Sequence, residues 1–152
     1  MGYLLVLSGT LLALVISLHD PQPNNPRHSM ATMNAYAQHL AQYRGWVRAY
    51  TQGQDSLPVG TIQNSALTLP TEMAFPSFDH HARYAADGNI YVWSDEGGAL
   101  YAASSALSAS ASLCRVISTR QCVSGRDTRA VLSSSQTPNF IPTGSTVYVW
   151  QR

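Results

Sequence analysis

Lysine is missing from this 152-residue chain, and charge of either sign is scarce. All nine basic residues are arginines, set against eight acidic ones, for a formal net charge of +1. The arginines fall at 27, 44, 48, 83, 115, 120, 126, 129 and 152 without forming a stripe. Binding a phosphate backbone needs several cations on one face, so nucleic acid is not an expected partner. The motifs of common catalytic sites are missing too: there is no G-x-S-x-G elbow, Walker loop, dinucleotide fingerprint or H-E-x-x-H helix. Each of those patterns places a nucleophile, a phosphate cradle or a metal at a fixed spacing, and without them no cofactor or small-molecule substrate is indicated. The expectation is a protein that is not an enzyme.

Cysteine is nearly absent. Cys114 and Cys122 are the only pair, too widely spaced for a C-x-x-C redox motif. In a small domain outside the cytoplasm such a pair is expected to oxidise into a structural disulfide. Two independent buried thiols are the competing reading. Histidines are few, and His80 and His81 are adjacent after Asp79. In an extended segment neighbouring side chains point to opposite sides, so the two rings are poorly placed to share a metal, and a surface turn is the plainer expectation. Asp95-Glu96, just before Gly97-Gly98, reads as a solvated turn.

What the chain does have is one uncharged apolar run, Leu4 to Leu18, with Leu4, Leu5, Leu7, Leu11, Leu12, Leu14, Val15 and Ile16 as its apolar body. Extended back to Gly2 it reaches the lower limit of about 17 residues for a bilayer-spanning helix. It stops at His19-Asp20, and Pro21, Pro23 and Pro26 follow, as suits a stiff exit from a membrane. A cleaved secretory signal and a buried core helix are the alternatives; no basic residue precedes the run, and the small-x-small pattern of a cleavage site is poor. Residues 1–19 are therefore expected to be a transmembrane anchor, 20–26 a proline-rich connector, and 27–152 one folded domain. That remainder is enough chain for one hydrophobic core.

Within the domain, Asn25 and Pro26 read as a helix start, and Gly53 as its stop. Between them Met33, Tyr36, Leu40, Tyr43, Val47 and Tyr50, with Ala37, recur at spacings of three and four, which predicts a helix over 26–51 with one apolar packing face. Prolines 58, 70 and 76 predict irregular chain with short strands over 54–79. Ile90–Trp93 and Val147–Trp150, reading IYVW and VYVW, are strand candidates after turn signals at Asp87-Gly88 and Pro142–Ser145. Leu100, Ala103, Leu107, Ala111 and Cys114 predict a second helix over 98–114, whose Ala and Ser allow close packing against another helix. Residues 115–118 and 130–132 are further strand candidates. The order predicts an α+β fold, an amphipathic helix packed on a small antiparallel sheet.

The length, the hydrophobic start Gly2-Tyr3-Leu4-Leu5-Val6-Leu7, the helix ending near Tyr50 and the Pro142-Thr143-Gly144 turn before an apolar last strand together resemble the PilM family of plasmid-encoded type IVb, thin-pilus proteins. That resemblance implies a single-pass bacterial inner-membrane protein with its soluble part in the periplasm, other pilus-assembly proteins as partners, and a link to conjugation. The architecture also resembles type IV pilins and pseudopilins, which makes a minor fibre subunit the alternative. An unrelated anchored extracytoplasmic domain with enzymatic activity is a third reading. The sequence departs from pilins in having no basic residue before the apolar run, no acidic residue before Asp20, and prolines where their helix is continuous.

Overall fold

The computed structural model describes residues 26–68, 80–107, 110–124 and 129–152. The expected anchor residues, Leu4 to Ile16, and most of the connector lie outside these. Among the described residues no helix is long and apolar enough to cross a membrane.

Helix α1 runs Pro26–Gln52 and stops where the Gly53 N–H bonds back to the carbonyls of Ala49 and Tyr50. Strand β1 (Gly60–Thr61) and a single 3-10 turn (Asn64–Ala66) follow. Then come β2 (His80–Tyr84), β3 (Asn89–Ser94), helix α2 (Gly98–Leu107), β4 (Leu113–Val116), β5 (Cys122–Val123), β6 (Ala130–Leu132) and β7 (Thr146–Gln151). The described strands make one antiparallel sheet in the order β1-β2-β3-β7-β4-β5-β6. The last strand is thus central, held between β3 and β4.

The pairing of β3 with β7 explains why IYVW and VYVW are alike. Ile90 lies opposite Trp150, Tyr91 opposite Val149, Val92 opposite Tyr148, and Trp93 opposite Val147. Every aromatic ring meets a β-branched neighbour, the pairing that best fills a pleated surface. Because side chains alternate, Ile90, Val92 and Tyr148 enter the core beneath the helices, while Tyr91, Trp93, Val147 and Val149 enter a second core on the opposite face.

Ala37, Leu40, Tyr43 and Val47 of α1 are fully buried against the first face, with Met33, Tyr36, Trp46 and Tyr50 half-buried around them. Among the described residues no helix covers the second face. Phe140 and Ile141 pack on it from the turns between β6 and β7, beside Cys114, Val116 and Cys122.

Three expectations need correction. Helix α2 ends at Leu107 rather than at 114, and 113–116 is strand β4. The break falls in the serine-rich stretch, where the hydroxyls of Ser110 and Ser112 bond each other at 2.7 Å and the Leu113 N–H bonds the Ser110 carbonyl. Serine competes for backbone partners in this way and does not sustain a helix. As a strand, the stretch sends Leu113 to the helical core and Cys114 to the opposite one. Second, His80 and His81 open strand β2 instead of a surface turn. Third, the strand candidate at 115–118 begins two residues earlier.

Candidate functional site

The two helices lie side by side on the sheet. Leu100 and Ser104 are the buried residues of α2, while Ala99, Ala102 and Ala106 stay exposed and Ala103 packs half-buried against the core. The spacing 99, 102/103, 106 is one helical stripe, and its side chains are too short to fill the space beside α1. A groove of about 430 Å³ results, lined by Met30, Met33, Asn34, Ala99, Ala102, Ala103 and Ala106. Met30 is 66% exposed, so a large apolar side chain remains in water at this place. Among the described residues none of the lining side chains titrates. The groove offers contact area, and neither a general acid nor a general base.

A second, smaller depression of about 290 Å³ lies where the end of α1 meets the end of β7, between Arg48, Thr51, Gln54, Trp150 and Arg152. One of its two arginines has structural work: the Arg152 guanidinium donates to the Gln54 carbonyl and lies over the Tyr84 ring. These contacts tie the last strand to the end of the helix.

The polar residues singled out from the sequence are dispersed. His80 turns to the helical face, its ring 5.6 Å from that of Tyr43. His81 turns to the other face, stacked on Trp93 at 5.1 Å with Nε2 3.6 Å from the Asp95 carboxylate. The two imidazoles are thus on opposite sides of the sheet. Asp95 and Glu96 lie exposed in the connection from β3 to α2. Among the described residues no group of three or more His, Cys, Asp or Glu is placed to hold a metal ion.

Of the helix packing face, Leu40, Tyr43 and Val47 lie at the centre of the first core and Met33, Tyr36 and Tyr50 at its edge. Tyr43 donates its hydroxyl to Asn64 Oδ1 at 2.7 Å, and burial pushes its phenol up to about 12. Burial also raises the Tyr148 phenol, partly offset by the Arg44 guanidinium lying 4.5 Å over its ring. Cys114 and Cys122 form a disulfide with their Cα atoms 5.3 Å apart. Val116 is the register partner of Cys122, so the bridge runs diagonally between β4 and β5 on the second face. Sequence reasoning missed Met30, which lies one step before Met33, the first residue named for the packing face. The alanine stripe was visible only as a run of small residues suited to close packing.

The PilM family model matches residues 9–149. The crystal structure of a protein assigned as PilM from Escherichia coli B7A is similar in fold, with a TM-score of 0.55 at 18% identity, covering 86% of this chain and 98% of that one. No curated protein matches the chain significantly. With a family match over nearly its whole length, the chain belongs to the PilM family.

Proposed function

We propose that this protein is a non-enzymatic component of type IV pilus biogenesis, tethered to a bacterial inner membrane by residues 1–19 and working in the periplasm. Connector 20–26 then leads into the domain 27–152. Family membership supports the pilus role. The groove between α1 and α2 carries the reading of a contact protein, because its lining combines exposed apolar surface with no titratable side chain among the described residues. The uncharged run Leu4–Leu18 supports the tether. The Cys114–Cys122 bridge supports an oxidising compartment, since cytosolic thiols are kept reduced. A role in conjugation follows from the resemblance to thin-pilus systems.

The test is cross-linking in membranes of a piliated strain, purification in detergent, and identification of the attached proteins. Pilus-assembly proteins are the expected partners, and the protein stays in the membrane pellet after a salt wash. Clean release by salt would refute the tether. Recovery mainly in sheared pili would favour a minor fibre subunit.

A further inference from the structure

The groove lies at the tethered end of the domain. The seven steps from residue 19 to residue 26 span at most about 25 Å when extended, and Met30 lies about 6 Å further along α1. Met30 is therefore within roughly 31 Å of the point where residue 19 would leave a bilayer. The far end of α1, at Gln52, is about 33 Å beyond Met30.

Charge sets this end apart. After Arg27 in its first turn, α1 has no Asp, Glu, Lys or Arg until Arg44, and α2 has none along its whole length. Protein surfaces in water normally carry charged residues at a quarter or more of their positions. Here two adjacent helices present methionine, alanine and asparagine instead. Such a face can leave water without stranding a charge, and methionine adapts its shape to irregular apolar surroundings.

We infer that the face formed by Met30, Met33, Ala99, Ala102, Ala103 and Ala106 seats on the membrane surface, its apolar side chains entering the boundary between headgroups and acyl chains. The occupant is lipid rather than a partner helix, because the short tether holds this face at the bilayer at a high effective concentration before any partner arrives. The inference rests on the tether proposed above. Its consequence is an oriented domain, with the α1 end near Gln52 pointing away from the bilayer.

The experiment uses the full chain in vesicles of phosphatidylethanolamine and phosphatidylglycerol. Both native cysteines are in the disulfide, so an introduced cysteine is the one free thiol available to a bimane label. Met30→Cys, Ala102→Cys and Val59→Cys are compared, each at an exposed position. Acyl-brominated lipid is expected to quench the labels at 30 and 102 at least about threefold more than the label at 59, since an interfacial face reaches the upper acyl region. Adding Ala102→Glu to Met30→Cys should bring quenching at 30 down to the level at 59, with retention after alkaline carbonate unchanged. Labels at 30 and 102 that stay open to an aqueous quencher, in protein retained by the membrane, overturn the seat and leave the tether standing. Labels shielded from water yet untouched by brominated lipid also overturn it, and mean that a second copy, a partner or residues 4–18 fill the groove. Release of the protein by carbonate refutes the tether, and the seat with it.

Discussion

On one side of the sheet, Ala82, Ile90, Val92 and Tyr148 lie beneath two helices. On the other, Tyr91, Trp93, Val147 and Val149 lie beneath Phe140 and Ile141, which reach them from turns, with a disulfide at the edge. The two cores are built from similar side chains under unlike covers. Helix α1 satisfies its own backbone hydrogen bonds, so its apolar face only has to pack. The turn cover must find partners for its carbonyls one at a time. Arg120 does much of this, donating from its guanidinium to the carbonyls of Ile141 and Pro138. Arg83 adds a cation–π contact over Phe140 at 4.5 Å, and Tyr91 meets the same ring edge-on. The helical cover is held by area, and the turn cover by a staple and a few directed contacts.

The largest expected effect breaks the helical side. Leu40 is fully buried on the inner face of α1, and Leu40→Ala should cost about 3–4 kcal/mol through lost transfer energy and the cavity left behind. Urea unfolding should show one cooperative transition at a lower midpoint, because both faces share the strands β3 and β7. The disulfide comes next. Replacing Cys114 and Cys122 together by alanine should cost about 2–3 kcal/mol on the chain-entropy estimate. Here the outcome should be local as well as global: hydrogen exchange speeds up across 133–145 while α1 keeps its protection. Equal loss of protection in α1 would show that the two covers are not independently held.

Arg120 tests the directed contacts with a smaller effect. Its φ of 61° is in the left-handed region, where a β-carbon is disfavoured. Arg120→Ala keeps that penalty and loses the bonds to two carbonyls, for about 2 kcal/mol. Arg120→Gly loses the same bonds and relieves the backbone, so it should be milder by about 1 kcal/mol. If both variants unfold at the same urea concentration, the backbone conformation contributes nothing measurable.

The same contrast decides what could be read from the sequence. The α1 face was legible because burial repeats with the helix period, from Met33 to Tyr50. Strands β3 and β7 were legible because their aromatic and β-branched residues follow turn signals at Gly88 and Gly144, whose φ values are 82° and 99°. Strand β2 was not, since His80-His81-Ala82-Arg83-Tyr84 carries no alternation of apolar residues. It is a strand because β3 supplies its hydrogen bonds and Trp93 a ring for His81. Strand β5 is only two residues long and defined by the bridge and its neighbours. The groove had half a signal: small residues in α2 foretold close helix packing, and Met30, three residues before Met33, continues the spacing of the α1 face. Neither pattern says that the space between the two helices stays open.

The smallest prediction sharpens the far side of the comparison by pH. In the hairpin between β2 and β3 the Tyr91 hydroxyl donates to Asp87 Oδ2 at 2.6 Å, and the Asn89 N–H donates to Oδ1 at 2.9 Å. Burial and the bond to the carboxylate raise the Tyr91 phenol above its ordinary value. Burial alone would push the Asp87 carboxyl up, but the bonds from Tyr91 and Asn89 outweigh it and hold the carboxyl below its usual range. The signs therefore differ at the two ends. Stability from Asp87 is present above the unfolded carboxylate value near ~3.9 and is lost as pH falls through the lower folded value. Stability from Tyr91 is present below the unfolded phenol value near ~10 and is lost as pH rises toward the higher folded one. Tyr91→Phe should thus cost about 1 kcal/mol between those limits, a modest figure because Asp87 is solvent-exposed. The gap from the parent protein should narrow below pH ~4 and above pH ~10 when urea midpoints are followed across the range. Tyr43→Phe, on the helical side, should show only the alkaline narrowing, because Tyr43 donates to the neutral Asn64 amide. An acid-side change in that variant would mean that the helical cover also depends on a carboxylate, and the contrast between the two faces would lose its electrostatic part.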